Sequence, residues 1–276
     1  MKYEIYRLLD SFPVLGSDHR AATLTAYLPD NLTEIGRDNE QHPCLLICPG
    51  GAYHGCSQRE AEPIALHFLP EGFNVFILNY SVAPYRYPAQ LLDVAAAIEL
   101  IYRNEETWHC DVARIAIMGF SAGGHLAAHY STSFNCPEVR AVFPNSHPVQ
   151  ATILCYPVIT ADPQWEHTGS IDALTGTNKR TQKEINAVSC EKLVSKDTPP
   201  AFLWHTSSDS CVPVMNSLLY AQALALYNIP FELHIYPLGE HGLATCDNRT
   251  IDNVLPEHEY DHTWLGDVKK WLHSFA

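Results

Sequence analysis

The sequence feature that most constrains the fold is the stretch IAIMGFSAGGHLA at residues 115–127. An apolar, strand-like run there passes through a cluster of small residues into a helix-like run. Its centre, GFSAG at residues 119–123, matches the pattern G-x-S-x-G. That pattern is typical of a sharp strand-to-helix turn that holds a serine in a strained backbone conformation. Glycine and serine also mark ordinary turns, so the rest of the chain must decide between the two interpretations.

Strand-like and helix-like segments alternate along the chain. The predicted strands are Tyr3–Leu8, Ala22–Leu28, Cys44–Cys48, Asn74–Asn79, Arg114–Met118, Ala151–Tyr156, Ala201–His205 and Phe231–Tyr236. The predicted helices are Glu60–Phe68, Pro88–Tyr102, Gly123–Ser131, Val214–Tyr227 and Tyr260–Ser274. This alternation favours an α/β fold in one domain, residues 1–276, with a mostly parallel eight-stranded sheet flanked by helices on both faces.

Two less regular segments, Asn135–Gln150 and Ala161–Thr198, interrupt the alternation. We expect both to emerge near the carboxyl ends of strands, where open α/β sheets bind ligands, and to form small cap insertions and substrate walls. Their polar and aromatic side chains could bind a sugar or be solvated loop residues. These side chains are His147, Gln150, Asp162, Gln164, Trp165 and His167.

The charge of the chain restricts its partners. Lys and Arg total 17 against 31 Asp and Glu, which gives a formal net charge of -14. Such a field should repel nucleic acid and anionic membrane surfaces, so we expect neutral or cationic small substrates. No apolar run approaches the ~18 residues that span a bilayer, and we expect a cytoplasmic protein. The nine cysteines include no C-x-x-C pair, which favours reduced thiols over a zinc ribbon or a disulfide framework.

A catalytic serine requires two partners elsewhere in the chain. Its hydroxyl is a weak nucleophile until a histidine accepts the proton, and that histidine needs an orienting carboxylate. After a G-x-S-x-G turn the expected chain order is serine, acid, histidine. Asp209 ends the run FLWHTSSD and fits the second place, and His241 follows the strand-like FELHIYP and fits the third. Singly, Asp209 could be a helix N-cap and His241 a loop residue, but their order favours a triad with Ser121.

Acyl transfer also requires donors for the oxyanion that forms during attack on a carbonyl. We expect one from the amide of Ala122 and others from the glycine-rich turn CPGGAYHG at residues 48–55. Among the remaining histidines, His125 and His129 form an i, i+4 pair that favours helix packing over metal binding. Four further histidines could line the site or be simply exposed, namely His54, His147, His167 and His205.

These segments resemble the α/β-hydrolase superfamily, and specifically its acetyl esterase and acetylxylan-esterase-like branch, which is grouped with the feruloyl esterase-like carbohydrate esterases. The resemblance covers most of the chain and includes PGGAYHGCSQREAEPIA, NYSVAP, DVARIAIMGFSAGGHLAA and PFELHIYPLGEHGL. It implies Ser121 as nucleophile, Asp209 as the acid of the triad and His241 as base. It also implies an oxyanion hole formed by the amides of Gly51, Ala52 and Ala122.

The chain departs from the family pattern at three places. The His-Gly-Gly-Gly pattern that is common in relatives is PGGA at residues 49–52 here. Ser81 stands where many relatives have arginine, and Glu240 precedes the base histidine where a small residue is common. The change at residues 49–52 keeps small residues and the donation by backbone amides, whereas Ser81 and Glu240 affect the expected substrate preference more than the expected reaction.

A second motif, HEYDH at residues 258–262, matches the zinc pattern H-E-x-x-H. Only fourteen residues follow it, which leaves little room for a helix with a third ligand. We interpret it as the start of an amphipathic C-terminal helix and expect no metal.

The sequence therefore predicts a serine carboxylesterase that cleaves acetyl or other short acyl esters, of carbohydrates in particular, through an acyl-enzyme. Although some members of the branch carry xylanase names, we expect ester cleavage rather than glycoside cleavage. We expect no cofactor, and a small-molecule ester as the partner. A peptidase of the same fold and a non-catalytic binding module are the alternatives. Whether the chain forms a homo-oligomer stays open.

Overall fold

A computed structural model describes residues 1–19 and 21–274, apart from the side chains of Asp18, Glu257, Glu259 and Tyr260. The described residues contain eight β-strands. They are β1 (Lys2–Arg7), β2 (Thr23–Leu28), β3 (His42–Cys48), β4 (Asn74–Asn79), β5 (Cys110–Phe120), β6 (Ala151–Cys155), β7 (Ala201–Thr206) and β8 (Phe231–Tyr236). Every predicted strand is confirmed; β5 begins four residues earlier and ends two residues later than predicted, and the other bounds differ by at most two residues.

The strands form one sheet in the order β1-β2-β4-β3-β5-β6-β7-β8. Strand β2 is antiparallel to β1 and to β4, and the other neighbours are parallel. The predicted mostly parallel sheet is thus confirmed. Consecutive residues of the central strands are buried, as in β3 from Cys44 to Cys48, because helices cover both faces of the sheet.

Helices account for most of the connections between the strands. In the described residues they are α1 (Leu8–Ser11), α2 (Glu62–Phe68), α3 (Ala89–Arg103), α4 (Ala122–Ser133), α5 (Pro137–Val142), α6 (Thr168–Thr175), α7 (Gln182–Val188), α8 (Met215–Leu226), α9 (Pro256–Asp261) and α10 (Thr263–Ser274). The five predicted helices are confirmed, except that the last is divided into α9 and α10. The four that were not predicted have eight residues or fewer, too few turns to display a helical period. Within the described part of the chain, no helix combines the length and apolarity needed to cross a membrane.

Two apolar layers hold the helices against the sheet. Successive strand residues face opposite layers, so Leu46 of β3 packs with α3, α4 and α8, whereas Leu45 and Ile47 pack with α2 and α10. Three indole rings, Trp204, Trp264 and Trp271, belong to the second layer. Burial of these apolar surfaces fixes the positions of the strand ends from which the functional loops emerge.

The segment Asn135–Gln150 lies at the opposite edge of the sheet from the one predicted. Helix α4 begins at the carboxyl end of β5 and carries the chain back to the amino ends of the strands. There the backbone N–H of Gln150 donates to the Ile115 carbonyl, and the Ile115 N–H donates to Gln150 Oε1, each at 2.8 Å. The prediction that this segment forms a substrate wall is therefore wrong. The segment Ala161–Thr198 follows β6 and does emerge at the carboxyl edge.

Helix α4 begins where its backbone comes very close to the end of β3. A Cβ atom on Gly123 would lie 2.1 Å from the Cys48 carbonyl oxygen and 2.3 Å from that of Pro49. A Cβ atom on Gly119 would lie 2.1 Å from the Gly123 carbonyl oxygen. Non-bonded carbon and oxygen atoms do not approach so closely, so only glycine fits. This contact sets Ser121 beside residues 48–55, which we call the glycine turn.

The close approach at Gly123 predicts that alanine destabilises the fold there, although alanine should stabilise it at Gly266, another helical glycine. Gly123→Ala should lower the free energy of unfolding by about 3 kcal/mol, because both atoms that the new methyl group meets belong to the backbone. Gly266→Ala is the matched control, since Gly266 lies in α10 and a Cβ atom there would have no neighbour within 4 Å. It should raise the free energy of unfolding by ~0.5–1 kcal/mol. Urea unfolding measures both, and equal effects would contradict the backbone contact.

Candidate active site

Ser121 occupies the strained turn that the G-x-S-x-G pattern predicts. It has φ 53° and ψ -118°, a conformation that L-residues rarely adopt. Its amide N–H donates to the Cys155 carbonyl at 3.0 Å, and its own carbonyl accepts from Val158 N–H at 3.0 Å. These bonds to the end of β6 and to the residues just after it hold the strained backbone in place.

Ser121, His241 and Asp209 form one chain of hydrogen bonds. His241 Nε2 lies 2.8 Å from Ser121 Oγ, and His241 Nδ1 lies 2.6 Å from Asp209 Oδ2. The three residues follow β5, β8 and β7, respectively, so the carboxyl ends of three parallel strands bring them together. The structure thus joins the three residues that the sequence singled out, in the predicted connectivity.

Asp209 receives four hydrogen bonds. His205 and His241 donate to Oδ2, while the N–H groups of Cys211 and Val212 donate to Oδ1 at 2.8 and 2.9 Å. Burial favours the neutral carboxyl, but bonds from His205 and His241 outweigh it and hold the pKa of Asp209 well below its ordinary value. Asp209 is therefore ionised at neutral pH and can orient a histidine.

His205 is one of the four histidines that the sequence left open. It is fully buried, and its Nε2–H group is shared between Asp209 Oδ2 at 3.2 Å and the Val212 carbonyl at 3.0 Å. Ser217 Oγ lies 2.8 Å from the other ring nitrogen, Nδ1. His205 thus supports the loop that carries Asp209 rather than facing the substrate.

The amides proposed from the sequence as oxyanion donors belong to the start of α4 and to the glycine turn. Ala122 begins α4, where an amide has no partner within the helix. Gly51 and Ala52 belong to the glycine turn, with φ 130° and φ 54°. Among residues 1–19 and 21–274, no group accepts a hydrogen bond from these three amides. A Cβ atom on the adjacent Gly50 would lie 3.0 Å from Ser121 Cβ, so the turn directly faces the serine.

Glu60 and Tyr156 are site residues that the sequence analysis missed. The Glu60 carboxylate accepts hydrogen bonds from Gly50 N–H and from the Tyr156 hydroxyl. The Tyr156 ring packs edge-to-face against His241, with centroids 5.0 Å apart. Glu60 lies within the segment SQREAEPIA at residues 57–65, but no periodicity or motif there distinguishes a buried glutamate from an exposed one.

Of the other histidines considered above, His125, His129 and His147 pack within the fold, and His167 lies near the loop that carries Asp209. Burial lowers the pKa of His125 to about 4 and that of His129 to about 3. His125 donates to the Val188 carbonyl and accepts from the Tyr53 hydroxyl, each at 2.7 Å, which supports a packing role. His147 stacks on Tyr102 near the amino edge of the sheet. His167 Nε2 lies 3.6 Å from Cys211 Sγ, in the loop that follows Asp209.

A cleft of about 500 Å³ adjoins the glycine turn. Its walls come from His54 of that turn, from the loop before α3 and from α6 with the residues after it. Arg86, Asp172 and Asn178 supply donors and acceptors to the cleft. A second cavity of about 700 Å³ lies at the amino edge, beside Gln150 and Arg114, and is therefore on the opposite side from Ser121.

The H-E-x-x-H motif falls partly outside the described residues, because the Glu259 side chain is one of those not described. His258 is buried; its Nδ1 accepts from Leu255 N–H at 3.1 Å, and its Nε2 lies 3.5 Å from Glu240 Oε2. His262 Nδ1 donates to the Thr245 carbonyl. Both histidines thus have partners within the protein, and Glu240 pairs with His258.

The sequence of the chain matches a known protein family. The family model described as BD-FAE matches residues 27–224, which is more than half of the chain. The chain belongs to the BD-FAE family. The resemblance inferred from the sequence motifs is thereby confirmed.

BD-FAE relatives include proteins named for xylan degradation. Endo-1,4-beta-xylanase B from Butyrivibrio fibrisolvens is 35% identical over 233 residues, which are 80% of this chain and 36% of that protein. An acetylxylan esterase from Xylanibacter ruminicola is 31% identical over 262 residues, which are 94% of this chain and 49% of that protein. The chain thus spans about half or less of the length of these curated relatives.

A solved structure resembles the chain over nearly its whole length. The acetyl ester-xyloside bifunctional hydrolase from Caldicellulosiruptor lactoaceticus has a TM-score of 0.83 and 37% sequence identity, and the match covers 98% of this chain and 96% of that one. The α/β-hydrolase fold expected for a BD-FAE protein is confirmed. Esterases and carboxylesterases recur among the relatives and the similar solved structures.

The low pKa of Asp209 predicts a pH-dependent contribution to stability. Between the folded pKa and the ordinary value near 4, the unfolded chain binds a proton that the folded chain does not. This stabilisation is complete above about pH 5 and is lost as the pH falls through the folded pKa. Asp209→Asn should therefore lower the free energy of unfolding more at pH 7 than at pH 3 in urea titrations. Asp38→Asn, at an exposed residue, should show no such difference; an equal loss at both pH values for Asp209→Asn would contradict the account.

Proposed function

We propose that this chain is a serine carboxylesterase that cleaves acetyl or other short acyl esters of carbohydrates through a Ser121–His241–Asp209 triad. The observation that carries the proposal is the hydrogen-bonded chain from Ser121 Oγ through both nitrogens of His241 to the ionised Asp209. Ser121 Oγ and His241 Nε2 lie 2.8 Å apart, a distance at which a proton can be transferred.

The proposed reaction has two steps. Ser121 Oγ attacks the ester carbonyl while His241 Nε2 takes its proton, and the tetrahedral intermediate collapses as His241 returns that proton to the leaving alcohol. Water then attacks the acyl-enzyme with His241 again as base, and the carboxylic acid and the free serine are released. Asp209 holds Nδ1 protonated and stabilises the imidazolium without accepting the proton.

The oxyanion of each tetrahedral intermediate is proposed to lie against the amides of Gly51, Ala52 and Ala122. Amides without an acceptor of their own are preorganised to bind developing negative charge. Gly50 N–H is occupied by Glu60 and does not take part. Each such donor is worth about 3–4 kcal/mol of transition-state stabilisation in other acyl-transfer enzymes.

The cleft beside the glycine turn is the proposed site of the alcohol part of the substrate. Its hydrogen-bonding side chains are suited to the hydroxyl groups of a sugar; they are the cation Arg86, the amide Asn178 and the carboxylate Asp172, which also accepts from Arg180. The names of the acetylxylan esterase and of the acetyl ester-xyloside hydrolase support an acetylated sugar as the substrate class. The expected cytoplasmic location stays a prediction from the sequence.

Comparison of matched esters tests this proposal. Catalytic efficiency should be higher for the acetyl ester than for the decanoyl ester of one alcohol, and acetate should be released from acetylated xylo-oligosaccharides. A peptide and an aryl xyloside, assayed in parallel, should be cleaved far more slowly. Ser121→Ala should abolish ester cleavage, whereas Ser131→Ala, at a buried serine of the same helix, should retain it.

Each outcome distinguishes one part of the proposal. Faster decanoyl cleavage, or no acetate release from any sugar, would contradict the carbohydrate-esterase assignment and leave the serine mechanism standing. Efficient peptide or xyloside cleavage would favour the peptidase or the glycosidase alternative. No hydrolysis of any ester by the folded chain would favour a binding module.

A further inference from the structure

A buried carboxylate connects two parts of the site that are distant in sequence. Glu60 is 3% exposed, and both of its oxygens are used. Oε2 accepts from Gly50 N–H at 2.9 Å, and Oε1 accepts from the Tyr156 hydroxyl at 2.7 Å. The first bond holds the glycine turn, and the second reaches the end of β6.

Tyr156 extends this connection to the loop that carries His241. Its hydroxyl oxygen accepts from Ala244 N–H at 3.0 Å, three residues beyond His241. Burial raises the pKa of Tyr156, so the phenol keeps its proton and can donate to Glu60. Its ring also packs against the His241 imidazole. The residues 239–246, which we call the histidine loop, are thereby tied to the glycine turn.

We propose that Glu60 is a positioning residue which, through Tyr156, holds the glycine turn and the histidine loop in the relative position that acyl transfer requires. The inference rests on the function proposed above. It concerns alignment, because Glu60 contacts neither the triad nor the site where the carbonyl is attacked. A negative charge cannot itself stabilise an oxyanion.

The bond to Gly50 determines which amides of the glycine turn are available. With Gly50 N–H directed at Glu60, the next two amides, of Gly51 and Ala52, are left without an acceptor within the described residues. A Cβ atom on Gly50 would lie 2.7 Å from Glu60 Oε2 and 3.0 Å from Ser121 Cβ, so the carboxylate and the serine each pack closely against the glycine turn at Gly50. A change in the position of Glu60 would shift the donors relative to Ser121.

Stability alone does not account for a carboxylate at this position. Removing a carboxylate from water is unfavourable, and a well-packed apolar group of similar volume is often as stable or more so. The benefit of Glu60 is that two acceptor atoms on one rigid group fix two donors at a defined distance. A displacement of about 1 Å in a catalytic group can reduce the rate about 100-fold, so such a constraint affects turnover.

Two nearly isosteric substitutions test the proposal. Glu60→Gln keeps the size but exchanges one acceptor for a donor, and Tyr156→Phe removes only the hydroxyl. Each should lower kcat for an acetyl ester by about 10- to 100-fold, with KM within about threefold, because alignment in the transition state is lost rather than substrate binding. The double variant should be little slower than either single variant, since both break the same connection.

Two control variants remove similar buried groups elsewhere. Asp93→Asn alters a buried carboxylate that accepts from Ser81 N–H and pairs with His19, and Tyr130→Phe removes a buried hydroxyl that donates to the His147 carbonyl. Both should lose stability, but kcat measured well below the unfolding temperature should change less than about threefold. This comparison separates positioning from a general loss of packing.

A boronic acid that forms a tetrahedral adduct with Ser121 supplies a second readout. Its affinity should fall in Glu60→Gln and Tyr156→Phe by about the same factor as kcat/KM, because the adduct uses the same donors as the transition state. Unchanged kcat and boronate affinity in Tyr156→Phe would overturn the inference, whether or not Glu60→Gln folds. A rise in KM alone would also overturn it by assigning Glu60 to substrate binding. If Ser121→Ala remains active, the proposed function fails instead.

Discussion

The structure depends on one contact between two stretches of backbone. The first turn of α4 rests on the carbonyls of Cys48 and Pro49, with no room for a side chain at Gly123. Because the contact involves only main-chain atoms, its geometry does not depend on side-chain rotamers. It sets the distance between Ser121 and the glycine turn, and hence the distance between a nucleophile and the amides that could bind an oxyanion. The strained conformation of Ser121 is sustained by bonds to β6 on the other side.

The protonation states of the buried groups at the site depend on the hydrogen bonds that each one receives and on its burial. Asp209 remains ionised because four donors compensate for its burial, and two of them are histidines, His205 on β7 and His241 in the loop after β8. His125 and His129, on the helix that follows Ser121, are neutral because burial lowers their pKa values. The base of the proposed triad is therefore the histidine that is bonded both to Ser121 Oγ and to the ionised carboxylate, while the buried His125 and His129 serve in packing.

Sequence reasoning predicted the sheet and the three central residues because each has a local signal. Apolar runs marked the strands, the small residues around Ser121 marked the turn, and chain order selected Asp209 and His241. The edge at which Asn135–Gln150 emerges was mispredicted, although the direction of α4 already determined it. Glu60 and His205 could not be assigned, because their partners Tyr156 and Asp209 are recognised only once the strands are aligned. Side-chain contacts across the sheet leave no periodic pattern in the sequence.

The central claim is that the hydrogen bonds from Asp209 through His241 make Ser121 a nucleophile. Reaction with a fluorophosphonate ester, followed by peptide mass spectrometry, tests it most directly, because the phosphonylated serine is stable. The account predicts one phosphonyl group per chain, on the peptide that contains Ser121, and a reaction slowed by about four orders of magnitude in Asp209→Asn. Labelling at another residue, or an unchanged rate in Asp209→Asn, would contradict it.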